Sequence, residues 1–178
     1  YKIDKAYDWM RIESDDSLEE IKFKKEYISQ RRRLNRLIEL IPFHPSDVVA
    51  DFGCGNGIFA DMIHDRVAEY DGVDFSEDFI KLAKKRKEKL QTKNVTFYCE
   101  DIITFCKNKS SHYDKVFSID FSEHIYDEDF LTIFTAIMSS LKPGGTLYLH
   151  TPNADFILEV FKKHGILKQV YGHIAVRN

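Results

Sequence analysis

The chain has 178 residues, 43% of them hydrophobic and 31% charged, with a net charge of −3. That length fits one domain with a sizeable core, and the mild acidity argues against nucleic acid as the main partner. Three cysteines, Cys54, Cys99 and Cys106, are odd in number and irregular in spacing, which excludes a disulfide framework or a structural zinc site.

The elements follow in chain order. A charged lead begins with Asp15, Asp16 and Ser17 as cap candidates. Leu34, Leu37, Ile38 and Ile41 recur at helical spacing, and Pro42 and Pro45 stop that helix. Arg31, Arg32 and Arg33 read as a solvated face or as a patch for an acidic substrate. From Val48 onward, short apolar runs alternate with amphipathic stretches, the signature of βαβ units and a parallel sheet. The predicted strands are Val48 to Phe52, Glu69 to Val73, Val95 to Cys99, Lys115 to Ile119 and Thr146 to His150. Helix patterns lie near Ile58–His64, Asp78–Leu90, Asp129–Leu141 and Ala154–His164, and Lys142-Pro143-Gly144-Gly145 reads as a turn closing the third of them.

The first four strands end in or beside acidic residues: Asp51, Asp74, Glu100-Asp101 and Asp120. In an open α/β sheet, ligands bind outside the carboxyl ends of the strands, so these carboxylates converge on a ligand rich in hydroxyl and amine donors. The central motif is Asp51-Phe52-Gly53-Cys54-Gly55-Asn56-Gly57, between a strand and a helix. Its GxGxG spacing differs from the GxGxxG of dinucleotide sites, and no Gly-Lys-Ser/Thr follows for a phosphate loop. A carboxylate beside the turn repels a pyrophosphate and attracts a cationic amino group. The turn therefore favours a nucleoside that carries an amino acid. Asp74, about 20 residues after the turn, is placed to accept both ribose hydroxyl protons. Phe75 offers a face for adenine, and Asp101-Ile102 offers a carboxylate for the adenine amine with an aliphatic wall, or Asp101 acts as a helix cap.

Together these segments resemble the class I methyltransferases that use S-adenosylmethionine. VVADFGCGNG resembles their first motif, GVDFSEDFIKLAKK their second-strand motif and EDI their adenine-binding motif; KVFSIDFSEHIYDED and LKPGGTLYLHTPN resemble the fourth- and fifth-strand segments. The resemblance spans about Val48 to Asn153. It implies an α/β fold, a Rossmann-like doubly wound, mostly parallel sheet with an N-terminal helical extension. It divides the chain into residues 1–45, a helical lead or cover, and 46–178, the cofactor-binding methyltransferase domain. It also implies that Asp51, Gly53, Cys54, Gly55 and Gly57 form the methionine-side pocket, that Asp74 and Phe75 hold ribose and adenine, that Asp101 and Ile102 hold the adenine edge, and that Asp120 and Phe121 lie near the sulfonium. The product is S-adenosylhomocysteine.

On the acceptor side, His124 in Asp120-Phe121-Ser122-Glu123-His124 is the candidate general base or substrate contact, set against a structural role. His150 reads as a satisfied core histidine, and Asn153 as a substrate donor or a cap. Tyr1, Tyr7 and Trp9 read as a packed cover or a lid. No metal-ligand spacing is present among the histidines and cysteines.

The expected function is methyl transfer to an O or N nucleophile of a small molecule, with a sugar or quinone-type acceptor in view. A non-catalytic module that binds S-adenosylmethionine or its product is the alternative. The partner is a small-molecule acceptor, without nucleic acid and without a membrane span, since no apolar run approaches roughly 20 residues. Reduced thiols suit a cytoplasmic setting. The family fold continues past the fifth strand with a helix and two strands, here sought in Ala154–His164, Ile166–Val170 and Ile174–Val176. The early stop at Asn178 leads us to expect a piece of a longer protein.

Overall fold

The computed structural model describes the backbone of residues 18–151 and the side chains of residues 27–151. The expected cap at Asp15–Ser17, the aromatic lead, Asn153 and the elements after it lie outside the described residues. The chain separates into two compact units, Tyr1–Pro42 and Phe43–Asn178.

In the first unit, α1 runs over Leu18–Ile38. Tyr27, Leu34 and Ile38 are buried and fall seven and four residues apart, which places them on one helical stripe. Arg31 spends its charge locally, donating to the Tyr27 hydroxyl one turn earlier at 3.3 Å. Arg32 and Arg33 are exposed.

The second unit is a five-stranded parallel sheet in the order β3-β2-β1-β4-β5, with β1 Val48–Phe52, β2 Glu69–Asp74, β3 Val95–Cys99, β4 Tyr113–Ile119 and β5 Leu141–His150. Its helices are α2 Ile58–Ile63, α3 Glu77–Leu90, α4 Ile102–Lys107 and α5 Asp127–Ser140. Parallel strands need crossover helices, and those helices cover both faces. Alternate residues of β1 therefore face opposite layers. Ala50 and Phe52 join Val73, Val116, Phe105, Phe134 and Ile137 in the layer under α4 and α5. On the other face Phe59 of α2 meets Phe117 edge-on at 4.9 Å, and Phe97 meets Tyr70 at 6.2 Å. Each such fully buried apolar side chain contributes about 1.5–3 kcal/mol.

The helix ends follow local chemistry. Ser76 caps α3 by accepting from Phe79 N, Glu77 and Asp78 occupy the first turn, and Gln91 closes the helix in the left-handed region at φ 52°. Asp101 caps α4 through Thr104 N at 2.9 Å. Buried acids at the other end of the sheet are paired: Asp71 accepts from the Tyr113 hydroxyl at 2.8 Å and Lys109 at 3.0 Å, and Asp47 pairs with Lys115 at 2.6 Å.

Three boundaries differ from the sequence reading. β4 starts two residues earlier, at Tyr113, because that ring fills the core. α4 is an additional helix; its β-branched start, Ile102, Ile103 and Thr104, disfavours a helical reading. The Lys142–Gly145 segment lies inside β5 rather than before it. Leu141 already pairs with Tyr113 while the next pair is Lys115 with Thr146, so the extra residues bulge out between two paired stretches.

Gly57 and Gly55 separate backbone strain from packing. Both have positive φ, 74° and 51°. A Cβ on Gly57 would stand 2.7 Å from Phe97 Cζ and 3.0 Å from Ala83 Cβ, whereas a Cβ on Gly55 would meet nothing within 4 Å. Gly57→Ala is expected to lower unfolding free energy by about 2–4 kcal/mol, combining strain and overpacking. Gly55→Ala is expected to cost only about 1 kcal/mol. Urea denaturation of the two variants checks the difference.

Candidate active site

The strand order reverses at β1. The chain leaves β1 toward β2 and β3 on one side, and β4 and β5 lie on the other. Such a switch point opens a crevice at the carboxyl ends of the central strands. The residues delivered there are the glycine turn after β1, Asp74 ending β2, Asp101 after β3, Asp120 after β4 and His150 ending β5.

The turn is pinned from beneath. Gly53 N and Cys54 N both donate to Val73 O, at 2.9 and 3.1 Å. Gly53 has φ 77° and carries the Phe121 ring, which a Cβ would strike at 2.6 Å. Gly57 closes the turn against Phe97 and Ala83. Gly55 differs, since open space faces its Cα. Asp74 holds it there: Oδ2 accepts from Gly55 N at 2.9 Å and Oδ1 from Ser76 N at 2.8 Å. One carboxylate thus ties the β1 turn to the start of α3, and each oxygen keeps a second lone pair for a ligand hydroxyl. Next to it Phe75 is 81% exposed, an aromatic face that the protein itself leaves uncovered.

The other sequence candidates are distributed as follows. Asp51 is 3% exposed and accepts from the Tyr70 hydroxyl at 2.5 Å. Burial pushes its carboxyl up to about 7, the Tyr70 bond opposes this, and the charge of Asp74 adds to it. Burial likewise pushes the Cys54 thiol up, reinforced by the charges of Asp51 and Asp74, so Cys54 packs as an inert thiol. Asp101 is exposed and engaged in capping α4, while Ile102 is buried in the core layer. Asp120 adopts φ 53° directly after β4 and pairs with His150 Nδ1 at 2.8 Å. His124 ends a 3₁₀ turn over Ser122–His124 and is exposed, with its backbone N bonded to Phe121 O at 3.0 Å.

The structure therefore gathers Gly53, Cys54, Gly55, Gly57, Asp74 and Phe121 around one turn and leaves Phe75 beside it. Two features escaped the sequence reading. Glu123 is 1% exposed and accepts from the Thr151 hydroxyl at 3.4 Å. His150 meets Asp120, a contact signalled only by the pairing of the last residues of β4 and β5.

Comparison with known families decides the class. The family described as a methyltransferase domain matches residues 49–145. The chain belongs to that family. It is a class I S-adenosylmethionine-dependent methyltransferase domain. Among curated proteins, one from Coxiella burnetii named ubiquinone biosynthesis O-methyltransferase is 32% identical over 108 residues, covering 61% of this chain and 44% of that protein. The chain thus spans less than half the length of that relative. Among solved structures, a SAM-dependent methyltransferase from Archaeoglobus fulgidus superposes with a TM-score of 0.64 at 24% identity, over 81% of this chain and 63% of that one. A Haemonchus contortus phosphoethanolamine N-methyltransferase gives 0.63 at 16% identity, over 82% and 29%. At these identities the structural likeness concerns the fold.

The buried Asp51 gives the methyltransferase domain a defined pH response. A carboxyl whose folded value is raised contributes stability that is fully present below its ordinary value of 3.8 and is lost as pH rises through about 7. Replacing it by Asn removes that dependence while keeping an acceptor for Tyr70. Between pH 4 and pH 8, the wild type is expected to lose on the order of 3 kcal/mol relative to Asp51→Asn. Paired urea denaturation curves at the two pH values read the difference.

Proposed function

We propose that this domain transfers the methyl group of S-adenosylmethionine to an oxygen nucleophile of a small, quinone-type acceptor. The observation that carries the reading is the open cradle at Gly55, held by Asp74 at the switch point of the sheet. A glycine in the left-handed region whose missing side chain faces no protein atom lets a ligand approach the backbone closely. Its neighbours suit an adenosyl amino acid. Gly53 to Gly57, with Cys54 and Asp51 packed behind them, line the methionine side. Asp74 accepts the ribose hydroxyls through its remaining lone pairs, and Phe75 lies against adenine. Asp101 and Ile102 border the adenine edge. Asp120 and Phe121 adjoin the sulfonium end, and His124 contacts the acceptor. The division into a lead over residues 1–45 and a catalytic part over 46–178 belongs to the same proposal.

The bound cofactor supplies a methyl group already activated by positive charge on sulfur. What the chain contributes is mostly position. Aligning nucleophile and methyl group is worth up to about 7–11 kcal/mol in favourable cases. The buried acids near the turn favour a cation over a phosphate, in accord with the absence of a pyrophosphate fingerprint. The choice of oxygen over nitrogen rests on the activity named for the Coxiella burnetii relative.

Calorimetric titration tests this. S-adenosylhomocysteine is expected to bind and NADH to leave the heat signal flat. Asp74→Ala is expected to weaken S-adenosylhomocysteine by about 1–3 kcal/mol, since a charged acceptor is lost. Equal affinity in that variant would remove Asp74 from the ribose, and binding of NADH alone would reverse the assignment.

A further inference from the structure

Two strands end side by side on the half of the crevice that the glycine turn does not occupy. Ile119 of β4 pairs with His150 of β5, and the chain turns at Asp120 immediately afterwards. Asp120 and His150 are bonded twice. Asp120 N donates to His150 O at 2.9 Å, and the side chains meet at 2.8 Å between Nδ1 and Oδ1. Asp120 adopts φ 53° at this point, the left-handed region that Asp enters more readily than most residues, which turns the chain off β4.

The chemistry of the pair fixes its polarity. An ionised carboxylate only accepts, so the proton of a neutral His150 lies on Nδ1, and Nε2 carries the lone pair. The two side chains are 31% and 23% exposed, so a small molecule can reach them. Their position relative to the cofactor turn is also set. The residue after Asp120 is Phe121, whose ring lies against Gly53. Asp120 therefore stands beside the turn, and His150 stands one strand farther out, on the β5 side.

We propose that His150 is the general base for the acceptor hydroxyl and that Asp120 is the residue that positions it. This deepens the function proposed above and rests on it. The acceptor oxygen attacks the methyl carbon with a lone pair, its O–H bond breaks, and its proton passes to His150 Nε2. The electron pair of the breaking methyl–sulfur bond stays on sulfur, whose positive charge is thereby cancelled. The imidazolium, stabilised by Asp120, then releases its proton to water. The acceptor class is a hydroxyl whose proton must leave, such as a phenol, rather than an amine that attacks with a free lone pair. His124, exposed on the turn after β4, contacts the acceptor without taking the proton.

Catechol serves as the hydroxyl probe, with S-adenosylhomocysteine as the cofactor stand-in and nitrogen NMR of the histidine side chains as the first readout. In the free wild type, neutral His150 is expected to be protonated on Nδ1. Adding catechol to the S-adenosylhomocysteine complex is expected to shift its Nε2 resonance. With S-adenosylmethionine, catechol turnover is expected to rise with pH to a plateau as His150 loses its proton. In His150→Gln, turnover is expected to fall by roughly 10²–10⁴-fold and the rising limb to vanish, with S-adenosylhomocysteine affinity unchanged. In Asp120→Ala the His150 ring is expected to lose its fixed Nδ1–H tautomer and turnover to fall, with S-adenosylhomocysteine affinity unchanged.

An Nε2–H tautomer in the wild type overturns the proposal without any activity measurement. So does an Nε2 resonance that catechol leaves unmoved while S-adenosylhomocysteine binds. A rising limb that survives in His150→Gln but disappears in His124→Ala assigns the base to His124 instead. Failure of the wild type to bind S-adenosylhomocysteine overturns the cofactor reading itself, and this inference with it.

Discussion

One carboxylate holds the crevice together. Asp74 ends β2, and its two oxygens accept from Gly55 N in the turn after β1 and from Ser76 N at the entry to α3. Charge-assisted hydrogen bonds of this kind are about twice as strong as neutral ones. They fix three chain segments relative to each other at the switch point of the sheet. The conformation of Gly55, the direction of α3 and the exposure of Phe75 all follow from it. The same side chain is the one proposed to read the ribose, so the scaffold and the recognition of the cofactor share one group.

Around that clamp the sheet divides the work. The β1–β3 half carries the glycine turn, Asp74 and Phe75. The β4–β5 half carries Asp120, Phe121, His124 and His150. Phe121 joins the halves, since its ring rests on Gly53 while its backbone follows Asp120. Buried acids of the β1–β3 half each have a partner: Asp51 with Tyr70, Asp71 with Tyr113 and Lys109, and Asp61 with Arg86 at 2.8 Å. A buried acid without such a partner would be costly.

Much of this was legible in the residues. Strands buried on both faces read as short apolar runs, and all five strands ended where the pattern of Val48–Phe52, Glu69–Val73, Val95–Cys99 and their successors placed them, within a residue. The glycine turn was legible because positive φ, a preceding strand and a following helix leave few sequences. Ordered motifs made the methyltransferase class legible as well. The remainder depended on distance along the chain. Tyr70 lies 19 residues from Asp51, and His150 lies 30 from Asp120. Which side chains meet across parallel strands is set by register, and a single sequence carries no direct record of register. α4 was hidden because it opens on the β-branched Ile102, Ile103 and Thr104, which favour a strand reading. The start of β5 was hidden because Pro143 and Gly144 signal a turn, and the bulge they form sits between two paired stretches.

The three glycines of the turn carry unequal duties. Two of them, Gly53 and Gly57, are hemmed in by Phe121 and Phe97 and are needed for folding. The middle one, Gly55, faces open space, and in the function proposed above its missing side chain serves chiefly the ligand. On that proposal, mutational drift at this single codon would weaken the ligand while the scaffold still folds. This chain would then stand one short evolutionary step from a silent relative, at a cost of about 1 kcal/mol in stability.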